Sequence, residues 1–114
     1  MKLNSVIFHT SRLKEIREFY EGKLKLVIGT YLKEGKEVSD HSETYVNYRV
    51  GDALLCFEID GDRTDMGTVV LNVADFSGLK KQLEDDGTKI AGGNAHYFKI
   101  KDPEGRSLII EPLS

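Results

Sequence analysis

The chain has 114 residues, enough for one compact domain with a single core, and its 39% apolar and 31% charged content is too apolar for disorder. Its net charge of −3 and isoelectric point near 5.6 give no electrostatic reason to bind nucleic acid or an anionic membrane. No apolar run approaches the roughly 18 residues of a spanning helix, the opening MKLNSVIFHTSR lacks the features of a signal peptide, and the lone Cys56 excludes an intrachain disulfide, so a cytoplasmic location is expected.

Residues 3–9 (LNSVIFH) suit a strand, since β-branched and aromatic side chains dominate. Ser11 is a candidate helix cap. Leu13, Ile16 and Tyr20 then form the apolar stripe of an amphipathic helix, with Lys14, Glu15, Arg17 and Glu18 on the wet side. Residues 25–32 read as a second strand. The polar, aperiodic stretch 33–43, which contains His41, reads as a loop. Residues 44–50 and 53–59 are strands joined by a two-residue turn at Gly51-Asp52. Residues 60–66 (DGDRTDM) read as a linker. They do not make a calcium loop, because Leu71 stands where the twelfth-position carboxylate is needed.

The plan then recurs. Residues 68–92 lie on residues 5–29 without a gap at a shift of 63. A strand over 67–73 leads to a helix capped by Asp75, with Phe76, Leu79 and Leu83 as its stripe and Gly87 at its end. Gly78 within that helix costs about 1 kcal/mol relative to alanine. A short strand over 88–91, a turn at 92–94 and a strand over 95–101 follow. Asp102-Pro103-Glu104-Gly105 is a turn signal, and 106–112 is the last strand. The expectation is an α+β fold in one domain, with a βαβββ module over 1–59, the linker over 60–66 and a second βαβββ module over 67–114. Neither copy can bury its apolar faces alone.

Strand alternation sorts the side chains. Val6 and Phe8 would face the helix, leaving Ser5, Ile7 and His9 toward a cavity. Val46, Tyr48, Leu55, Phe57 and Ile59 would be core, leaving Tyr45, Asn47, Arg49, Cys56 and Glu58. In the second copy Thr68, Val70 and Asn72 would face the cavity, and over 95–101 the cavity set would be His96, Phe98 and Ile100. Each has a plainer role too: surface pairing for Arg49, a strand-end cap for His9, a hydrogen-bonded His96, core packing for Tyr45 and Phe98.

The paired βαβββ plan, Phe19-Tyr20 near the end of the first helix and the Asp102-Pro103-Glu104-Gly105 turn before the final strand resemble the glyoxalase/bleomycin-resistance/extradiol-dioxygenase superfamily, the vicinal oxygen chelate proteins. The resemblance implies curved mixed sheets enclosing a cavity, in a homodimer. Enzymes of that family hold a divalent metal with His, Glu or Gln from the first and fourth strands of each module. Those positions fall here on Ser5, Cys56, Thr68 and Ile109, a poor set for a catalytic cation. A shifted site built from Glu58, Glu111, His9 and His96 is the alternative.

The reading is therefore a small-molecule-binding protein without the usual metal site and with no cofactor, its ligand held by Tyr45, Asn47, Arg49, Cys56, Glu58, His96, Phe98 and Glu111. Two enzymatic readings stand beside it: a metal-dependent lyase, isomerase or dioxygenase with an atypical ligand set, and metal-free acid/base chemistry by His96 or Glu58.

Overall fold

The structure, a computed structural model, describes residues 1–113. It falls into two compact units, Met1–Asp65 and Met66–Ser114. Residues 60–65 of the expected linker thus belong to the first unit, where the Asp65 N–H donates to the His9 carbonyl at 3.0 Å.

In the first unit β1 (Ser5–His9) is followed by α1 (Leu13–Arg17), which widens into a π-helical segment, Glu18–Lys23. The adjacent Phe19 and Tyr20 are both buried, their rings meeting edge-on at 5.1 Å, and Tyr20 packs on Phe57 at 4.6 Å. Ser11 does not cap the helix. The N-cap position falls on Arg12, which makes no side-chain capping bond; the Thr10 hydroxyl accepts the Arg12 N–H at 3.1 Å, and Ser11 lies against Thr64 at 3.3 Å.

The remaining strands are β2 (Val27–Ile28), β3 (Thr30–Lys33), β4 (Lys36–Ser39), β5 (Tyr45–Val50) and β6 (Ala53–Glu58). The main sheet runs β1-β6-β5-β2, with β1 and β6 parallel and the other neighbours antiparallel. Its helix-side face buries Val46, Tyr48, Leu55 and Phe57, each contributing about 1.5–3 kcal/mol of apolar burial. The Tyr48 hydroxyl donates to Glu21 at 2.8 Å, and Arg17 Nε donates to the same carboxylate at 2.7 Å. Burial alone would raise the Glu21 carboxyl, but these two donors outweigh it and hold it below its ordinary value.

The stretch 33–43 is not a plain loop. β3 and β4 form a separate hairpin whose central residues, Glu34 and Gly35, both have positive φ (52° and 76°), the backbone of a tight two-residue hairpin turn. Its side chains are exposed apart from Val38, so burial leaves no period-two signature in the sequence. The Gly51-Asp52 turn forms as expected, with Gly51 at φ +58°.

The second unit has β7 (Thr68–Val73), α2 (Phe76–Asp85), β8 (Phe98–Lys101) and β9 (Ser107–Pro112), in the sheet order β7-β9-β8. β7 and β9 are parallel, β8 and β9 antiparallel, repeating the strand plan of the first unit. The Asp75 carboxylate caps α2 by accepting the Gly78 N–H at 3.2 Å. A Cβ on residue 78 would meet that carboxylate, which gives this helical glycine a structural reason. Gly87, at φ +84°, ends the helix, and the Thr88 N–H returns to the Leu83 carbonyl at 2.9 Å. Residues 88–91 form no strand and pair with β8 in an isolated bridge between Ala91 and Lys99.

The expected facing of 95–101 is corrected. The strand begins at Phe98, which pairs with Ile110, while Ile100 pairs with Leu108. Opposed residues share a face, and Leu108 and Ile110 are core. Phe98 (0% exposed) and Ile100 (2%) therefore face the helix side, with Phe98 against Phe76 at 5.2 Å. The open face carries Lys99 and Lys101 instead. Among the described residues no helix is long and apolar enough to cross a membrane.

Candidate functional site

The first unit's main sheet has its helix on one face and leaves the other open. Alternation along β1, β5 and β6 brings Ser5, Ile7, Tyr45, Asn47, Cys56 and Glu58 to that open face. They line a cavity of about 360 Å³, together with Asn4, Leu54 and Asp40, within the roughly 300–1,000 Å³ range of small-molecule sites.

Asp40 organises one wall. It follows the β3–β4 hairpin, and its N–H donates to the Gly29 carbonyl at 2.8 Å. Its carboxylate accepts the Asn47 side-chain N–H at 2.7 Å. Burial pushes the Tyr45 phenol up, and a hydrogen bond to Asp40 adds to the shift. Cys56, on the floor, is 6% exposed; burial first, then the negative charge of Asp40 and Glu58, raises its thiol and keeps it protonated.

Glu58 forms the other wall and belongs to a chain of polar contacts. His9 Nε2 lies 3.1 Å from Glu58 Oε1, and His9 Nδ1 lies 2.6 Å from Asp65 Oδ2. Both ring nitrogens lie within hydrogen-bonding distance of carboxylate oxygens. Asp65 also accepts the His9 backbone N–H at 2.9 Å and Arg63 Nε at 3.1 Å. The backbone and ring donors of His9, ahead of Arg63, hold the Asp65 carboxyl down at about 2.

The other expected site residues lie elsewhere. Arg49 shares the open face with Asn47 but borders a separate hollow with Thr30 and Glu37, and its guanidinium reaches the Asp52 carbonyl at 3.4 Å. Glu111 lies in the second unit, opposite Asn72 on that sheet's open face. His96 is exposed in the loop before β8, where its N–H donates to Asn94 Oδ1 at 2.7 Å. Phe98 is core. Asp40 was not anticipated: it sits at the end of a hairpin arm read as loop, and no local pattern marks it.

The metal set implied by the resemblance fails on the chemistry of its donors. Cys56 is a protonated thiol beside two carboxylates, the Ser5 hydroxyl already meets the Asn4 amide at 3.4 Å, and in the second unit Ile109 offers no donor. The shifted alternative fares no better, since both ring nitrogens of His9 are engaged. Among the described residues no group of three or more His, Cys, Asp or Glu is arranged to hold a metal ion.

No protein-family model matches the chain, and no curated protein matches it. Solved structures do. The antibiotic-binding protein TnmS3 from Streptomyces sp. CB03234 superposes over 100% of this chain and 97% of its own, at 12% identity and a TM-score of 0.73. Lactoylglutathione lyase from Agrobacterium tumefaciens does so over 97% and 92%, at 14% identity and a TM-score of 0.71. The oxidase ChaP-H2 covers 100% and 94%, at 15% identity and a TM-score of 0.76. At such identities the likeness establishes the fold alone, one this chain shares with these proteins. The three named proteins are a binder, a lyase and an oxidase, so this one fold serves different functions.

Proposed function

We propose that this protein binds a small polar organic molecule in the first unit's cavity, without the metal site usual for the fold. The observation that carries the reading is the lining itself: Tyr45, Asn47, Cys56 and Glu58 converge on one cavity with Asp40, and no lysine or arginine joins them. Two carboxylates without a lining cation favour a ligand that brings hydrogen-bond donors or a positive charge. The reading includes a homodimer in a reducing cytoplasm, supported by the lone buried Cys56 and by the exposed apolar side chains of Ile7, Val27, Leu32 and Val70.

A thermal-shift screen of organic amines and neutral polar compounds, run with and without EDTA, tests it. A ligand at about a hundred times its Kd adds about 2.7 kcal/mol of stability. The gain should survive EDTA and be lost in Asn47→Ala and Glu58→Gln. Stoichiometric, tightly held Ni, Zn, Mn or Fe in the native protein, or binding that persists in both variants, would overturn the proposal.

A further inference from the structure

The second unit holds a cavity of opposite chemistry. It measures about 480 Å³ and lies between the segment 88–91 and the edge of β8. Its origin is a strand that fails to form. Ala91 is the counterpart, 63 residues on, of Ile28. Ile28 belongs to a two-rung ladder with β5, Ile28 opposite Tyr48 and Val27 opposite Arg49. In the second unit only the first rung is kept, with the Ala91 N–H donating to the Lys99 carbonyl at 2.9 Å and the Lys99 N–H donating back at 3.3 Å. The far end of the segment is pinned at Thr88, whose N–H reaches the Leu83 carbonyl at 2.9 Å and whose hydroxyl donates to Asp86 at 2.6 Å. Held at both ends but unpaired between them, the segment stands away from β8, and the gap is the cavity.

Three lysines line this gap, Lys89, Lys99 and Lys101, and no carboxylate does. Lys101 Nζ donates to the Ser107 hydroxyl at 2.9 Å, which fixes it at the rim; an ammonium has three N–H donors, so others are left for a ligand. Lys89 and Lys99 make no ion pair among the described residues. Three cations around one hollow repel one another, and in a chain with more acids than bases their grouping without counter-charges is distinctive. Ala91 and the apolar stems of the lysines line it as well, with Ile100, whose side chain is turned to the core, at its edge. Alternation along β8 also turns the Lys101 backbone N–H toward the same gap as that of Lys99, adding a main-chain donor.

We infer that this cavity is a binding site for a small organic anion, with the acid group against the lysine ammonium groups and the apolar body along Ala91 and the lysine stems. The inference does not rest on the reading proposed for the first unit's cavity.

The test is a titration of the isotope-labelled full chain with 2-naphthoate, followed by amide NMR, with the uncharged 2-naphthalenemethanol as control. Shifts should concentrate at Thr88, Ala91, Lys99, Ile100, Lys101 and Ser107. Binding should weaken as NaCl is raised and fall on the order of tenfold in Lys99→Gln/Lys101→Gln, whose spectrum reports directly that the fold is kept. It should be unchanged in Asn47→Ala, which separates this site from the first. Equal binding of the uncharged control, shifts centred on Tyr45, Asn47 and Cys56, or no saturable shifts at all would each overturn the inference.

Discussion

Arg106, just after the Asp102–Gly105 turn, carries a fully buried charge. Its guanidinium meets Asp102 at 3.1 Å and Glu104 at 3.0 Å, while the other Asp102 oxygen accepts the backbone N–H groups of Glu104 and Arg106. Removing one partner of a buried pair strands the other's charge, so Arg106→Ala should lose about 3–5 kcal/mol in urea denaturation. A loss under about 1 kcal/mol would mean that the carboxylates are reached by water. Asp65 governs the acid limb. Its folded carboxyl lies at about 2, below the ordinary 3.8, so the unfolded chain binds the proton more readily as pH falls. Its contribution is complete above the ordinary value and is lost as pH drops through the folded one. Asp65→Asn should therefore flatten the stability curve between those two values; an identical acid limb in the variant would contradict the assignment.

At the scale of elements, two glycines separate backbone freedom from packing. Neither Gly22 nor Gly51 would bring a new Cβ within 4 Å of a neighbour, but only Gly51 has a positive φ, +58°. Gly51→Ala should destabilise by about 1–2 kcal/mol through the turn alone. Gly22→Ala, in the π-helical segment, should instead stabilise by about 0.5–1 kcal/mol; a common sign in thermal melts would refute this account. The same elements show what a sequence can reveal. β5 and β6 were legible because Val46, Tyr48, Leu55 and Phe57 alternate with polar or small side chains, and Gly51-Asp52 fixes their register. The phase of β8 was legible but its facing was not: Phe98 and Ile100 alternate with Lys99 and Lys101, and only pairing with Ile110 and Leu108 turns the apolar pair to the core. The β3–β4 hairpin was invisible for the opposite reason: nearly all of its side chains are wet.

At the scale of the molecule, the repeat carried the fold. The first three strands of the sheet order, with a parallel pair at one edge, are built twice from stretches that align without a gap, although the fourth strand is reduced to a single bridge in the second unit and one helix is partly π and the other regular α. The candidate site was only partly legible. Period-two reasoning gathers Tyr45, Asn47, Cys56 and Glu58 on one face, but Asp40 joins them through a chain reversal with no local signature, and Arg49 drifts to a neighbouring hollow. The two copies have also diverged in charge, one cavity walled by carboxylates and the other ringed by lysines. Cys56 gives this architecture a practical handle. It is the only thiol in the chain, it lies on the floor of the first cavity, and its protonated state makes it slow to react. A maleimide or iodoacetamide would thus add a single mass tag at a rate set by access to that floor, and slower tagging would report occupancy of this cavity alone, a built-in reporter for whatever molecule fills it.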